Sequence, residues 1–352
     1  MEVAMSGPAF SSGPPGVSPR ATMHHLIRGL WISRALWVAA TLGIADLLEE
    51  PKDAAELSDV TGTHGPSLQR VLQALCSVGV LTQDDARRFA LTPVGATLRS
   101  DAPGSVRAWA SMVLGGETYQ AWGALMHSVR TGGIAFDHLF GQDVWQYRTG
   151  HPEYARLFDD AMTGLTAGIA PAVAEAYDFG AIGTLVDVGG GHGELLAVLL
   201  QVSPRMRGVV FDLPHVVAGT GPFLARAGVL DRCDVVGGSF FDGVPGGGDA
   251  YILKSIIHDW DDESATAILR SCRRAMSPRS TLLLVERLLP TMVESSGVSE
   301  TVTFSDLNMM VMNGGRERTE AAYRVLLDAA GLRHARTVPT SVGFSVVEAV
   351  PA

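Results

Sequence analysis

Over residues 23–50 apolar side chains recur at helical spacing: Leu26, Leu30, Ile32, Leu36, Val38, Ala39, Leu42, Ile44, Leu47 and Leu48. They are too many for one face of a solvated helix, so this segment is expected to be buried in its subunit or packed against another chain. Residues 53–60 and 67–75 predict two short helices. Residues 79–82 and 88–92 predict a hairpin around the polar tip 83–87. Helix, turn, helix and hairpin make a winged-helix pattern. Residues 101–180 read as helices rich in aromatics and methionine. From residue 184 onward the period changes. Apolar runs at 184–188, 207–213, 233–238, 249–257 and 281–286 alternate with helical stretches, and 334–338 with 344–350 close the chain as an antiparallel pair. That rhythm predicts a doubly wound α/β sheet ending in a hairpin. Residues 1–20, mostly Gly, Pro, Ser and Ala without a period, are expected to be a mobile tail. The divisions expected are therefore 1–20, 21–100, 101–180 and 181–352.

The first strand of the α/β part ends in a glycine turn, Gly189-Gly190-Gly191-His192-Gly193, and a strong helix former follows at 194–200. A strand, a tight glycine turn and a helix N-terminus together seat nucleotide-like ligands at the carboxyl edge of a sheet. Nineteen residues past Gly193, Asp212 closes the second strand beside Leu213, where a carboxylate can accept from two ribose hydroxyls. A dinucleotide fold would want a glycine where Glu194 stands. An acid on the first helical turn suits a pyrophosphate poorly, because anions are what that helix end attracts. S-adenosylmethionine has a ribose and no phosphate, and fits better. Gly189, Gly191, Asp212 and Leu213 are the candidate contacts.

Chemistry concentrates at residues 256–263, just past the fourth strand at the ligand edge. His258, read as a loop side chain, can serve as a general base at neutral pH. The neighbouring Asp259, Asp261, Asp262 and Glu263 raise the option of a divalent metal. Residues 261–263 open a helix, however, where cap and first-turn carboxylates are expected anyway, so no metal is expected. Glu286 ends the fifth strand, and Glu317 lies in the run Gly314-Gly315-Arg316-Glu317. A carboxylate beside an imidazole fixes its tautomer and favours its protonated form. Trp260 offers an aromatic face to a sulfonium cation. Upstream, Trp145, Phe158 and Met162 belong to an aromatic and methionine cluster suited to lining a cleft for a flat acceptor.

Charge narrows the function classes. The chain carries a net charge of −10, which removes the usual drive for nonspecific nucleic-acid binding. Over residues 44–100 eight acids face five bases, so the winged helix is expected to pack rather than to bind DNA. No apolar run has transmembrane length and no secretory pattern opens the chain. Three scattered cysteines, Cys76, Cys233 and Cys272, suit a reducing cytoplasm.

Five motifs in order then carry a resemblance: residues 185–193 (LVDVGGGHG), 209–216 (VVFDLPHV), 249–262, 283–290 and 314–320 (GGRERTE). From about Met23 onward the chain resembles the S-adenosylmethionine-dependent O-methyltransferases of small molecules, the family of plant caffeate and flavonoid enzymes, acetylserotonin methyltransferase and bacterial antibiotic-tailoring enzymes. The resemblance implies a Rossmann-like class I methyltransferase domain with a C-terminal antiparallel hairpin, and an N-terminal winged-helix dimerisation domain. It implies a homodimer acting on a small hydroxylated aromatic. It also assigns roles. Gly189, Gly191 and Asp212 hold cofactor, Phe240 lies near adenine, and Lys254 reaches the cofactor. His258 is the base, bracketed by Glu286 and Glu317. Met162 and Met309 sandwich the acceptor ring, with Asn313 and Asp259 beside it. One position departs: Ser239 stands where the family usually has Asp before the aromatic Phe240. Two other readings share these features, a relative with changed chemistry (C- or N-methylation, or hydroxylation) and a ligand-sensing DNA-binding regulator.

Overall fold

The computed structural model describes residues 18–352 and divides into two compact units, one ending at Gly95 and one spanning Ala96–Ala352. The first unit opens with the helix Pro19–Leu42. Ser18 caps it by accepting from the Ala21 amide at 3.2 Å, and Gly43 stops it at φ 66°. Residues 19–20, expected in the tail, are therefore helical, because serine and proline supply a start signal there. The rest of the expected tail, 1–17, lies outside the described residues. The single helix expected over 23–50 is broken at Gly43, and a short turn, Ile44–Leu47, follows.

The helix Ala54–Thr61 begins in a capping box between Asp53 and Glu56, and Gly65–Ser77 follows it. Strands β1 (Leu81–Gln83) and β2 (Phe89–Leu91) then pair antiparallel. Leu57, Leu68, Leu72, Leu75 and Phe89 are buried in this unit, while Met23, Leu26, Ile27, Leu30 and Trp31 of the first helix are exposed.

In the second unit seven helices between Arg107 and Ala176 precede the sheet. Its strands are β3 (Thr184–Val188), β4 (Arg207–Asp212), β5 (Cys233–Gly237), β6 (Ala250–Lys254), β7 (Thr281–Glu286), β8 (Leu332–Pro339) and β9 (Ser345–Pro351). They lie in the order β5-β4-β3-β6-β7-β9-β8. The first five are parallel, and β9 pairs antiparallel with both β7 and β8. Leu185, Val186, Val188, Ile252, Leu253 and Leu283 are buried, as near-continuous apolar runs of two-sided parallel strands should be. The chain leaves β3 toward one edge and returns at β6 toward the other. Their carboxyl ends thus flank a topological switch point, where ligands bind in open α/β sheets. Among the described residues no helix is long and apolar enough to cross a membrane.

Candidate active site

The turn after β3 is built around its glycines. Gly189 has φ 73°, and a Cβ there would stand 2.4 Å from the Ile256 side chain. Gly191, at φ 58°, has nothing within 4 Å of its missing Cβ. Its amide donates to Asp212 Oδ2 at 2.8 Å, and the Leu213 amide donates to Asp212 Oδ1 at 2.7 Å. A carboxylate has about four acceptor positions, so two remain for ribose hydroxyls over an open glycine cradle. The residues present thus fit a nucleoside-type cofactor.

Phe240 and Phe241 meet the Trp260 ring edge-on, with centroids 5.9 and 4.9 Å away. Ser239 Oγ accepts from the Phe241 amide at 3.2 Å and so shapes its own turn. Burial depresses the Lys254 ammonium despite the nearby carboxylates of Asp187 and Glu286. Burial also pushes Asp187 up to about 7, and its Oδ2 has no hydrogen-bond partner.

On the other side of the switch point, Ser255 takes a positive φ of 54° and the chain enters a short 3-10 turn, Ile257–Asp259. His258, expected on a loop, is buried. The turn is drawn inward because buried Glu286 Oε1 accepts from the Ile256 and Ile257 amides at 3.2 and 2.9 Å. His258 Nδ1 stands 2.8 Å from Glu317 Oε1 and 3.9 Å from Glu286 Oε2. Glu317 is itself fixed, since Ser305 Oγ donates to its Oε1 at 2.6 Å and its amide donates to Asp306. When the ring is neutral and Nδ1–H donates to Glu317, Nε2 carries the lone pair.

Burial works against a charged imidazolium here, but the carboxylates of Glu317, Glu286 and Asp259 outweigh it and push His258 up to about 10. Burial also raises Glu286 to about 7. Glu317 is held below the ordinary carboxylate range: burial opposes this, and His258 and Ser305 overcome it.

Asp259 Oδ1 lies 3.6 Å from His258 Nε2 and accepts from Asn313 Nδ2 at 2.8 Å, and the same amide nitrogen is 3.7 Å from Met309 Sδ. Trp145 stacks on Trp260 at 5.4 Å and meets Phe158 edge-on. Met162, like Trp145 and Phe158, packs against the buried helical cluster. The sequence candidates therefore fall into two groups. Gly189, Gly191, Asp212, Leu213, Ser239 and Phe240 follow the ends of β3, β4 and β5. His258, Asp259, Glu286, Met309, Asn313 and Glu317 form the imidazole cluster, and Trp260 joins it to Trp145.

Two residues of this region escaped the sequence reading. Arg318 is buried and binds the carbonyls of Ile257 and Trp260 together with Asp262 Oδ1, clamping both ends of the histidine turn. Gly315 lies so close that a Cβ would stand 2.1 Å from the His258 carbonyl oxygen, and the next amide, of Arg316, donates to that oxygen at 2.8 Å. The run Gly314–Arg318 carried the signal, in a glycine pair beside alternating charges.

Comparison with known proteins bears on this geometry. The family profile described as an O-methyltransferase dimerisation domain matches residues 24–101, and that described as an O-methyltransferase domain matches residues 122–333. The phenazine O-methyltransferase PhzM of Lysobacter antibioticus is 45% identical over 330 residues, covering 93% of this chain and 94% of that protein. The crystal structure of LaPhzM superposes with a TM-score of 0.92 at 44% identity, covering 96% of this chain and 100% of that one. The O-methyltransferase NcsB1 from neocarzinostatin biosynthesis, solved with S-adenosylmethionine and 2-hydroxy-5-methyl naphthoic acid, superposes with a TM-score of 0.77 at 34% identity, over 93% of this chain and 98% of that one.

Proposed function

The chain belongs to the S-adenosylmethionine-dependent O-methyltransferases, and on that premise we propose that it methylates a phenolic hydroxyl of a small aromatic natural product, with His258 as general base and no metal. The observation that carries the reading is the 2.8 Å contact of His258 Nδ1 with buried Glu317, which turns Nε2 into a proton acceptor. When bound, S-adenosylmethionine supplies a methyl group on a sulfonium. Gly189, Gly191, Asp212, Leu213, Ser239, Phe240, Lys254 and Trp260 are the residues assigned to hold it. Trp145, Phe158, Met162, Asp259, Met309 and Asn313 are assigned to the acceptor.

His258 Nε2 takes the acceptor's hydroxyl proton, because a phenolate is far more nucleophilic than a phenol. Glu317 holds the ring and stabilises the imidazolium that results. Glu286 acts through the turn, by fixing the Ile256 and Ile257 amides. His258, Glu286 and Glu317 do bring three donor atoms within 4.8 Å of one another. A cation there would compete for the Nδ1 that orients the base, so the cluster serves better without one. Asp261 and Asp262, the other acids nearby, are engaged as helix cap and arginine partner.

The domain division that goes with this reading assigns residues 21–100 to dimerisation, 101–180 to the acceptor pocket and 181–352 to cofactor binding and catalysis. PhzM is described as a phenazine O-methyltransferase and NcsB1 as an O-methyltransferase from neocarzinostatin biosynthesis, which supports an aromatic acceptor, and the match of residues 24–101 to an O-methyltransferase dimerisation domain supports a homodimer.

The test is transfer of labelled methyl from S-adenosylmethionine to a panel of hydroxylated aromatics in excess chelator, followed by mass spectrometry. Wild type should give a methyl ether. His258→Ala should lose about 10²-fold in turnover on a phenol of ordinary pKa, and less on acceptors that ionise more readily. Near-normal turnover by His258→Ala, or activity that returns only with added magnesium, would overturn the mechanism.

A further inference from the structure

In the glycine turn 189–193 His192 alone carries a side chain, and the proposed mechanism gives it no role. Its Nδ1 lies 3.2 Å from Thr163 Oγ, on the helix Pro152–Ala167. Thr163 Oγ also stands 2.8 Å from the Asp159 carbonyl oxygen, one helical turn back. A carbonyl only accepts, so the single hydroxyl proton goes there and Oγ is left as an acceptor for the imidazole. Nδ1 is therefore the donor, in the neutral ring as in the charged one. Room for the ring comes from Gly219, where a Cβ would stand 3.1 Å from His192 Nε2.

This hydrogen bond joins the two halves of the site. On the cofactor side, Asp212 takes the Gly191 amide and Thr220 Oγ donates to the Gly191 carbonyl at 3.1 Å. On the other side, the helix Pro152–Ala167 carries Phe158 and Met162, both assigned to the acceptor. The same helix packs on Glu194–Val202, which leaves the glycine turn. Asp159 shows how near this part of the helix comes to the cofactor side. Burial pushes its carboxyl up to about 6, and His192, Asp212 and Arg148 all act on it through space.

We propose that His192 is a positioning residue for methyl transfer. Through Thr163 it ties the donor's turn to the acceptor's helix, so that a donor seated in the turn also stiffens the wall against which the acceptor is aligned. Transfer is a displacement between two bound molecules, whose reacting atoms must meet within a narrow range of distance and direction. A turn ordered by its ligand opens less often, and a helix hydrogen-bonded to that turn shares the restraint. The inference rests on the methyltransferase reading and deepens it.

Amide hydrogen exchange on the full-length protein, with and without S-adenosylhomocysteine, tests the tie. In wild type the ligand should slow exchange at residues 189–193, and also at 152–167 by about fivefold or more, the order of one hydrogen bond. In His192→Ala and in Thr163→Val the protection at 152–167 should vanish while that at 189–193 remains. The double variant should lose no more than either single one, as a shared contact requires. His192→Asn, whose amide donates from about the place of Nδ1, should restore the protection, and His192→Gln, whose amide falls nearer Nε2, should not. Affinity for S-adenosylhomocysteine by calorimetry should stay within about threefold of wild type throughout, because the contacts of Asp212 do not involve the ring; this also shows that the variants are folded. On an acceptor that wild type methylates, His192→Ala should lower kcat about tenfold or more, with the KM for the donor little changed and kcat recovered in His192→Asn.

The tie is overturned if ligand protection is absent from 152–167 in wild type, if it persists there in His192→Ala, or if His192→Asn does no better than alanine. Equal kcat in wild type and His192→Ala would overturn its part in transfer. Ligand-dependent protection of 152–167 without methyl transfer to any acceptor would defeat the methyltransferase reading and leave the tie standing. Failure of wild type to bind S-adenosylhomocysteine would defeat both.

Discussion

His258 is held by charges that pull its proton affinity upward, and this sets a sign for the pH dependence. As the proposed base, His258 must be neutral to act, and its flanking carboxylates push it up to about 10, near the ordinary range of a phenol. Turnover should therefore fall as pH drops below that value, and its acid limb should lie well above the ordinary histidine range. Glu317→Gln removes one of the charges responsible, so the limb should move to lower pH while maximal turnover drops through a misoriented ring. A limb set by the substrate alone would not move, so a pH–rate profile that coincides for the two proteins would refute the assignment. Asp212 makes a second residue-scale prediction. Its two backbone donors leave acceptor positions over the Gly191 cradle, and Asp212→Ala should weaken S-adenosylmethionine binding by about tenfold or more, as loss of charged hydrogen bonds implies. Unchanged affinity by calorimetry would count against the ribose role. Ser239, by contrast, already has its Oγ engaged by the Phe241 amide.

At the scale of elements, the proposed base catalysis depends on how a three-residue turn is fastened. Glu286 at the end of β7 holds its entering amides, and Arg318 holds the Ile257 and Trp260 carbonyls. Gly315 lets the next segment approach the His258 carbonyl. Arg318→Met keeps the bulk but strands those carbonyls, at about 1–3 kcal/mol for each buried group left unpaired. Denaturant unfolding should show the loss of stability, and kcat should fall at least tenfold, because a small misplacement of the base is costly. The KM for the methyl donor should change far less, since β3 and β4 are untouched. Equal losses in cofactor affinity and kcat would mean that Arg318 supports the sheet rather than the turn.

For the molecule as a whole, the first helix presents Met23, Leu26, Ile27, Leu30 and Trp31 to solvent. Their spacing of three and four makes one continuous apolar stripe, larger than isolated surface residues would form. A stripe of this kind on a unit that matches a dimerisation domain is the expected seat of a second copy. Leu26→Glu together with Trp31→Glu should halve the mass measured by light scattering, while the second unit, which has its own core, stays folded by near-UV circular dichroism. An unchanged mass would move the dimer contact elsewhere.

The periodicities of the chain determined its elements. The inner parallel strands were legible as apolar runs because strands buried on both faces cannot alternate, and the capping residues Asp53, Asp261 and Thr319 marked helix starts by local hydrogen bonding. Sequence order likewise placed His258 and Glu286 at strand ends, since both lie within a residue or a few of those ends. The start of the first helix at Pro19 was missed because a region rich in Gly, Pro and Ser masked a short cap signal.

Only the tertiary structure decided what those ends do. Glu317 reaches His258 across fifty-nine residues of chain, a pairing that no local pattern encodes, because strand order and not spacing brings the two segments together. The burial of the histidine turn and the Arg318 clamp are likewise properties of packing. Whether a charged side chain is solvated, paired or stranded depends on what surrounds it in space, and a linear pattern of polar and apolar positions carries no record of that.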